Sequence, residues 1–200
     1  MVHTKALTKK EIEALLVIFK DYSVSYNAHS ISARMDITPR GALKVLKSLR
    51  SRGLLTGRTL GKATFYKTNF DDAYAVKTIE TLLMQEAREC ASLWVSEFKE
   101  LFQAAEIAIL FGSIIRSPKN AKDVDLLLVL AENSFGSAKR LIEDKNKVLL
   151  KPIHPIYQSA DDIKNSLKRR DPVIVNALRR GYVLHGYDKL VGILEYATTL

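Results

Sequence analysis

The chain has 200 residues and 47% apolar content, enough for one large or two small packed domains. Its formal charge of +9 is segregated: residues 1–70 carry 13 Lys/Arg against 4 Asp/Glu, while the rest balance at 18 of each, so a basic head precedes a neutral body and the expected partner is a polyanion such as nucleic acid. A single cysteine, Cys90, excludes an intramolecular disulfide, no apolar run approaches the roughly 20 residues that span a bilayer, and no apolar leader follows Met1; the expectation is a cytoplasmic protein away from membranes.

Thr8-Lys9-Lys10-Glu11 fits a capping box, and Ile12, Leu15, Leu16 and Phe19 recur at helical spacing behind it. The spacing predicts a first helix over 9–21 and a short second helix over 28–35, with Ile31 and Met35 inward. Asp36 tolerates a left-handed helix stop, Thr38 can cap, and Pro39 suits a first helical turn. A third helix then runs over 39–52, burying Ala42, Val45, Leu46 and Leu49 and ending at Gly53.

Helix, tight turn and helix form the helix-turn-helix plan, whose last helix enters the major groove. The outward positions there are Arg40, Gly41, Lys44, Lys47, Ser48 and Ser51, small or basic as a groove requires, with Arg50 and Arg52 able to reach phosphates. Strands at 54–58 and 63–68 follow, joined by Thr59-Leu60-Gly61-Lys62, and Arg58 and Lys62 flank the tip. This region, about 8–68, resembles the winged-helix regulators of bacteria and archaea, especially in Leu46-Lys47-Ser48-Leu49-Arg50-Ser51-Arg52-Gly53-Leu54-Leu55. The resemblance implies transcription regulation through double-stranded DNA, with Arg40, Lys44, Lys47, Ser48, Arg50, Arg58 and Lys62 as contacts.

From 71 to 104 there is neither proline nor glycine. Ile79, Leu83, Ala87, Cys90, Trp94, Phe98, Leu101 and Ala105 form a stripe with a mean spacing of about 3.7, above the 3.5 of a left-handed coiled coil. One or two amphipathic helices are expected, packing on a domain or on a second subunit. A homodimer is the expected assembly, because DNA readers of this type match two half-sites.

Residues 106–111 read as a buried strand that ends in Gly112-Ser113. After nine further residues, Asp123-Val124-Asp125 opens a second strand to 130, whose period of two puts both acids on one face. Such a pair repels itself unless a cation intervenes, and it suits Mg²⁺, an oxygen-seeking ion. Gly112-Ser113, at the start of a helix, offers amides and a hydroxyl to phosphate.

Strand, Gly-Ser turn, short helix and Asp-x-Asp strand resemble the minimal members of the DNA polymerase β-like nucleotidyltransferase superfamily over about 90–160. That resemblance implies that Gly112, Ser113 and Arg116 hold a nucleoside triphosphate. It also implies that Asp123 and Asp125 are the catalytic and metal-binding carboxylates for Mg²⁺. The family's third acid stands on a following strand, here expected within Lys151-Pro152-Ile153-His154-Pro155-Ile156-Tyr157, an edge strand by its prolines. It offers His154 in place of the acid, read as a structural or exposed residue.

The expected architecture is thus α+β / α/β: a winged helix at 1–70, a long helical connector at 71–104 and a nucleotidyltransferase-like mixed sheet with helices at 105–200. Two functions compete. One is a DNA-binding transcription regulator whose body binds nucleotide without turnover. The other is an active Mg²⁺-dependent nucleotidyltransferase acting on a nucleic acid or protein.

Overall fold

A computed structural model describes residues 6–199, so the lead-in at 1–5 lies outside the described residues. The chain combines helices with a four-stranded mixed sheet and a two-stranded antiparallel one, and its contacts divide it into two compact units between Leu82 and Leu83. Among the described residues, no helix is long and apolar enough to cross a membrane.

The first unit begins with α1 (Lys9–Lys20), which opens on the expected capping box: the Thr8 side chain accepts from the Glu11 amide, and the Thr8 amide donates to Glu11 Oε2 at 2.7 Å. Its inner face buries Ala14, Leu15, Ile18 and Phe19. Next, α2 (Ala28–Met35) is capped by Asn27, whose Oδ1 accepts the His29 and Ser30 amides at 2.9 Å, and it ends at Asp36 in the left-handed conformation, φ 52°. Thr38 and Pro39 then start α3 (Pro39–Ser51). Gly53, at φ +75°, turns the chain out of that helix at a conformation glycine adopts without strain.

Strands β1 (Leu55–Leu60) and β2 (Ala63–Thr68) pair antiparallel from Leu55↔Thr68 to Leu60↔Ala63. The hairpin is therefore longer than the sequence pattern indicated. Thr59 and Leu60 continue the ladder, which leaves only Gly61 and Lys62 in the turn. One further bridge joins Tyr26 to Tyr66, with the Tyr66 amide donating to the Tyr26 carbonyl at 2.7 Å. It ties the hairpin to the segment between α1 and α2. Leu46, Leu49, Leu54, Leu55 and Ile31 fill this unit's core at 2% exposure or less.

Helix α4 (Ala73–Cys90) carries the chain from one unit to the next and is followed by α5 (Ser92–Glu97) and one 3-10 turn at Leu101–Gln103. Most of the apolar stripe is satisfied within the chain itself: Ile79, Leu83, Ala87, Phe98, Leu101 and Ala105 are buried, whereas Cys90 is exposed.

The second unit is built on β3 (Ala105–Phe111), β4 (Val124–Leu130), β5 (Ile153–Gln158) and β6 (Tyr182–His185), in the order β5-β4-β3-β6. β3 pairs antiparallel with β4 and β6, and β4 pairs parallel with β5. The two central strands are covered on both faces, which is why they read as continuous apolar runs instead of alternating ones. On one face Ala108, Leu110, Leu126 and Leu128 pack with Phe98, Leu101 and, from α7 (Phe135–Asn146), Ala138 and Ile142. On the other, α8 (Ala160–Lys168), α9 (Pro172–Arg180) and α10 (Tyr187–Thr199) close over the sheet. β5 lies at an edge, as Pro155 requires, because a residue without an N–H cannot serve a central ladder.

Candidate functional site

Three carboxylate and imidazole groups meet at one end of β4. Asp123 stands just before the strand and Asp125 inside it. The parallel register pairs Asp125 with His154 on β5. One ligand atom from each of the three lies within 4.8 Å of the others. His154 Nδ1 is 3.2 Å from Asp123 Oδ2, and both side chains reach solvent, at 61% and 30% exposure. Sequence spacing joins Asp123 to Asp125; the third member, 29 residues further on, arrives through strand pairing.

Gly112 closes the inner side of this cluster. The register Phe111↔Asp125 brings the chain after β3 against the carboxylate, and Gly112 leaves the strand at φ +82°. A Cβ there would overlap Asp125 Oδ2, so glycine is demanded twice, by dihedral and by space. The short helix α6 (Ser113–Arg116) follows. Its first amide, expected to face phosphate, stands beside the Asp125 carboxylate and favours the ionised form of that group. Arg116, at the other end of α6, is exposed.

The Asp125 carboxyl is held above its ordinary value, first by burial and then by the neighbouring Asp123 charge, against the lowering influence of His154 and the Ser113 amide. Among the described residues, no Lys or Arg side chain pairs with Asp123 or Asp125. Two acids with one imidazole make a donor set for a divalent cation.

Two residues that sequence reasoning passed over hold the site in place. Lys151 Nζ donates to the Pro118 carbonyl at 2.8 Å and also to the Ala121 carbonyl, clamping the segment that leads to Asp123. Asn146 accepts the Ile153 amide at 2.7 Å through Oδ1, next to His154. A lysine before a proline and an asparagine at a helix end carry no local signal of such roles.

In the first unit, Arg40 and Lys47 from α3 and Lys62 from the hairpin turn line one cleft with Asn27, His29 and Tyr66. Lys44 is exposed on the same helix. Arg50 lies across the hairpin, its guanidinium carbon 3.4 Å from where a Cβ on Gly57 would stand. Arg58 lines a separate depression with Thr56, Phe65 and Lys67. Ser48 departs from its expected groove-facing place. Its hydroxyl donates to Glu11 Oε1 at 2.5 Å, because the buried Glu11 carboxylate draws donors from both α1 and α3. Compared with known proteins, the chain matches no family model, no curated protein and no solved structure.

Proposed function

We propose that this chain is a winged-helix protein that binds double-stranded DNA and regulates transcription, with a nucleotidyltransferase-like second unit that binds a nucleoside triphosphate and a divalent cation. The observation that carries the reading is the charge: the whole +9 falls in residues 1–70, and Arg40 and Lys47 from α3 line one cleft with Lys62 from the hairpin turn. Three helices followed by a basic hairpin support a groove-entering α3 with β1 and β2 as the wing. Dimerisation belongs to this reading as the match to paired half-sites. A mobility-shift titration with duplex DNA tests it: a retarded complex is expected, and none at low salt would refute it.

The cluster at Asp123, Asp125 and His154 favours a second reading, an active nucleotidyltransferase acting on a nucleic acid or protein. Asp123 and Asp125 would hold the cation, Gly112 would let the backbone come close, and Arg116 would face the phosphates. A bound cation at such a site supplies charge neutralisation to a phosphate chain. The two readings separate on incubation with labelled ATP, GTP, CTP and UTP with Mg²⁺ or Mn²⁺. Label transfer that is lost in Asp123→Ala/Asp125→Ala establishes the enzyme, whereas nucleotide retention without transfer supports the regulator.

A further inference from the structure

The geometry points to a single metal site made by Asp123, Asp125 and His154 together, selective for a first-row transition dication such as Zn²⁺ or Co²⁺ over Mg²⁺. The inference rests on the reading that the second unit binds a divalent cation, and it specifies which ion and through which third ligand.

The three donors come from two places in the chain, the start of β4 and the facing position on β5, and among the described residues no Lys or Arg side chain pairs with them. Two neighbouring carboxylates with only an exposed imidazole beside them form a negative site open to solvent, into which a hydrated ion can enter. The identity of the third donor then selects the ion. Mg²⁺ requires near-octahedral oxygen coordination, and an imidazole nitrogen in its shell displaces an oxygen ligand that it binds better. Zn²⁺ and Co²⁺ accept imidazole and carboxylate together.

The distances agree. Zinc ligands at about 2.0–2.2 Å in a tetrahedron stand about 3.4 Å from one another. His154 Nδ1 and Asp123 Oδ2 are 3.2 Å apart, already near that edge, and all three donor atoms fall within 4.8 Å. Three protein ligands leave a fourth position open for water or a phosphate oxygen. Pro152 and Pro155 stiffen the strand on either side of His154, and the Asn146 carbonyl oxygen fixes the amide of Ile153, so the imidazole is presented from a restrained backbone.

The full-length protein, stripped of metal, is titrated with Co²⁺ and followed by its visible d–d absorption, and Zn²⁺ affinity is measured against a chromogenic chelator. Saturable Co²⁺ bands at one ion per chain are expected, displaced by Zn²⁺ and unmoved by a large excess of Mg²⁺. His154→Ala, at an exposed edge position that the fold tolerates, should weaken Zn²⁺ binding by about a hundredfold or more. His154→Asp should restore an all-oxygen set and shift preference toward Mg²⁺ and Mn²⁺. If Mg²⁺ competes with Co²⁺ on equal terms, or His154→Ala leaves Zn²⁺ affinity unchanged, the ion assignment is overturned while the cation-binding reading stands. If no dication binds to the wild type, both fall.

Discussion

The α-carbon of Gly112 lies against the carboxylate of Asp125, so that the turn after β3 and the acid on β4 are shaped to one another. Gly112→Ala brings two penalties, a positive φ that an L-residue resists and a methyl group inside Asp125 Oδ2. A loss of about 1–3 kcal/mol is expected in denaturant unfolding, together with weakened metal binding as Asp125 is pushed aside. An unchanged unfolding midpoint would mean that the turn is not held as described.

Asp125 sets a pH dependence in the metal-free protein. Its carboxyl is raised above 3.8 by burial and by Asp123. The folded state therefore keeps this proton to higher pH than the unfolded chain does. The group's contribution to stability is present at low pH and is lost as pH rises from the ordinary carboxylate range through the raised value. Asp125→Asn keeps an acceptor beside the Ser113 amide and removes the charge. It should stabilise the metal-free protein at neutral pH, with the difference from wild type vanishing on acidification, while abolishing metal binding. A neutral-pH loss of stability in this variant would contradict the electrostatic account.

Glu11 works in the opposite direction. Burial raises its carboxyl, but hydrogen bonds from Ser48 and Thr8 and the charge of Arg52 outweigh that and leave it below its ordinary 4.5. Its stabilisation is present above that value and lost as pH falls through the depressed one. Glu11→Gln should destabilise by about 1–2 kcal/mol at neutral pH, with the gap to wild type closing in acid; calorimetry across that range would show a constant gap if the charge were irrelevant.

Ser48→Ala separates fold from recognition. The hydroxyl serves Glu11, so its removal should lower stability by about 1 kcal/mol and leave duplex affinity unchanged. A selective loss of DNA affinity with unchanged stability would return Ser48 to the groove-facing surface.

Local chemistry made much of this molecule legible in advance. Thr8 with Glu11, Asp36, and Thr38 with Pro39 each start or stop a helix through contacts within a few residues, and each does so here. The edge position of β5 followed from Pro155 for the same reason. What lay beyond reach depends on distant pairing. His154 meets Asp125 only because β4 and β5 run parallel in one register, and Ser48 turns inward only because Glu11 is buried 37 residues away. The clamp of Lys151 on the Pro118 and Ala121 carbonyls is equally invisible in a linear pattern. All three residues of the candidate site were thus legible, the acids from spacing and His154 from its place on the expected third strand, while their meeting at one point follows from topology.

The central claim, that the basic first unit grips duplex DNA through α3, is tested most directly by the salt dependence of binding. Fluorescence anisotropy of a labelled duplex, titrated at several salt concentrations, should give a log–log line of negative slope. Lys44→Ala/Lys47→Ala should weaken binding and flatten the line by roughly 0.9 for each phosphate contact removed. An affinity and slope identical to wild type in that variant would contradict the account.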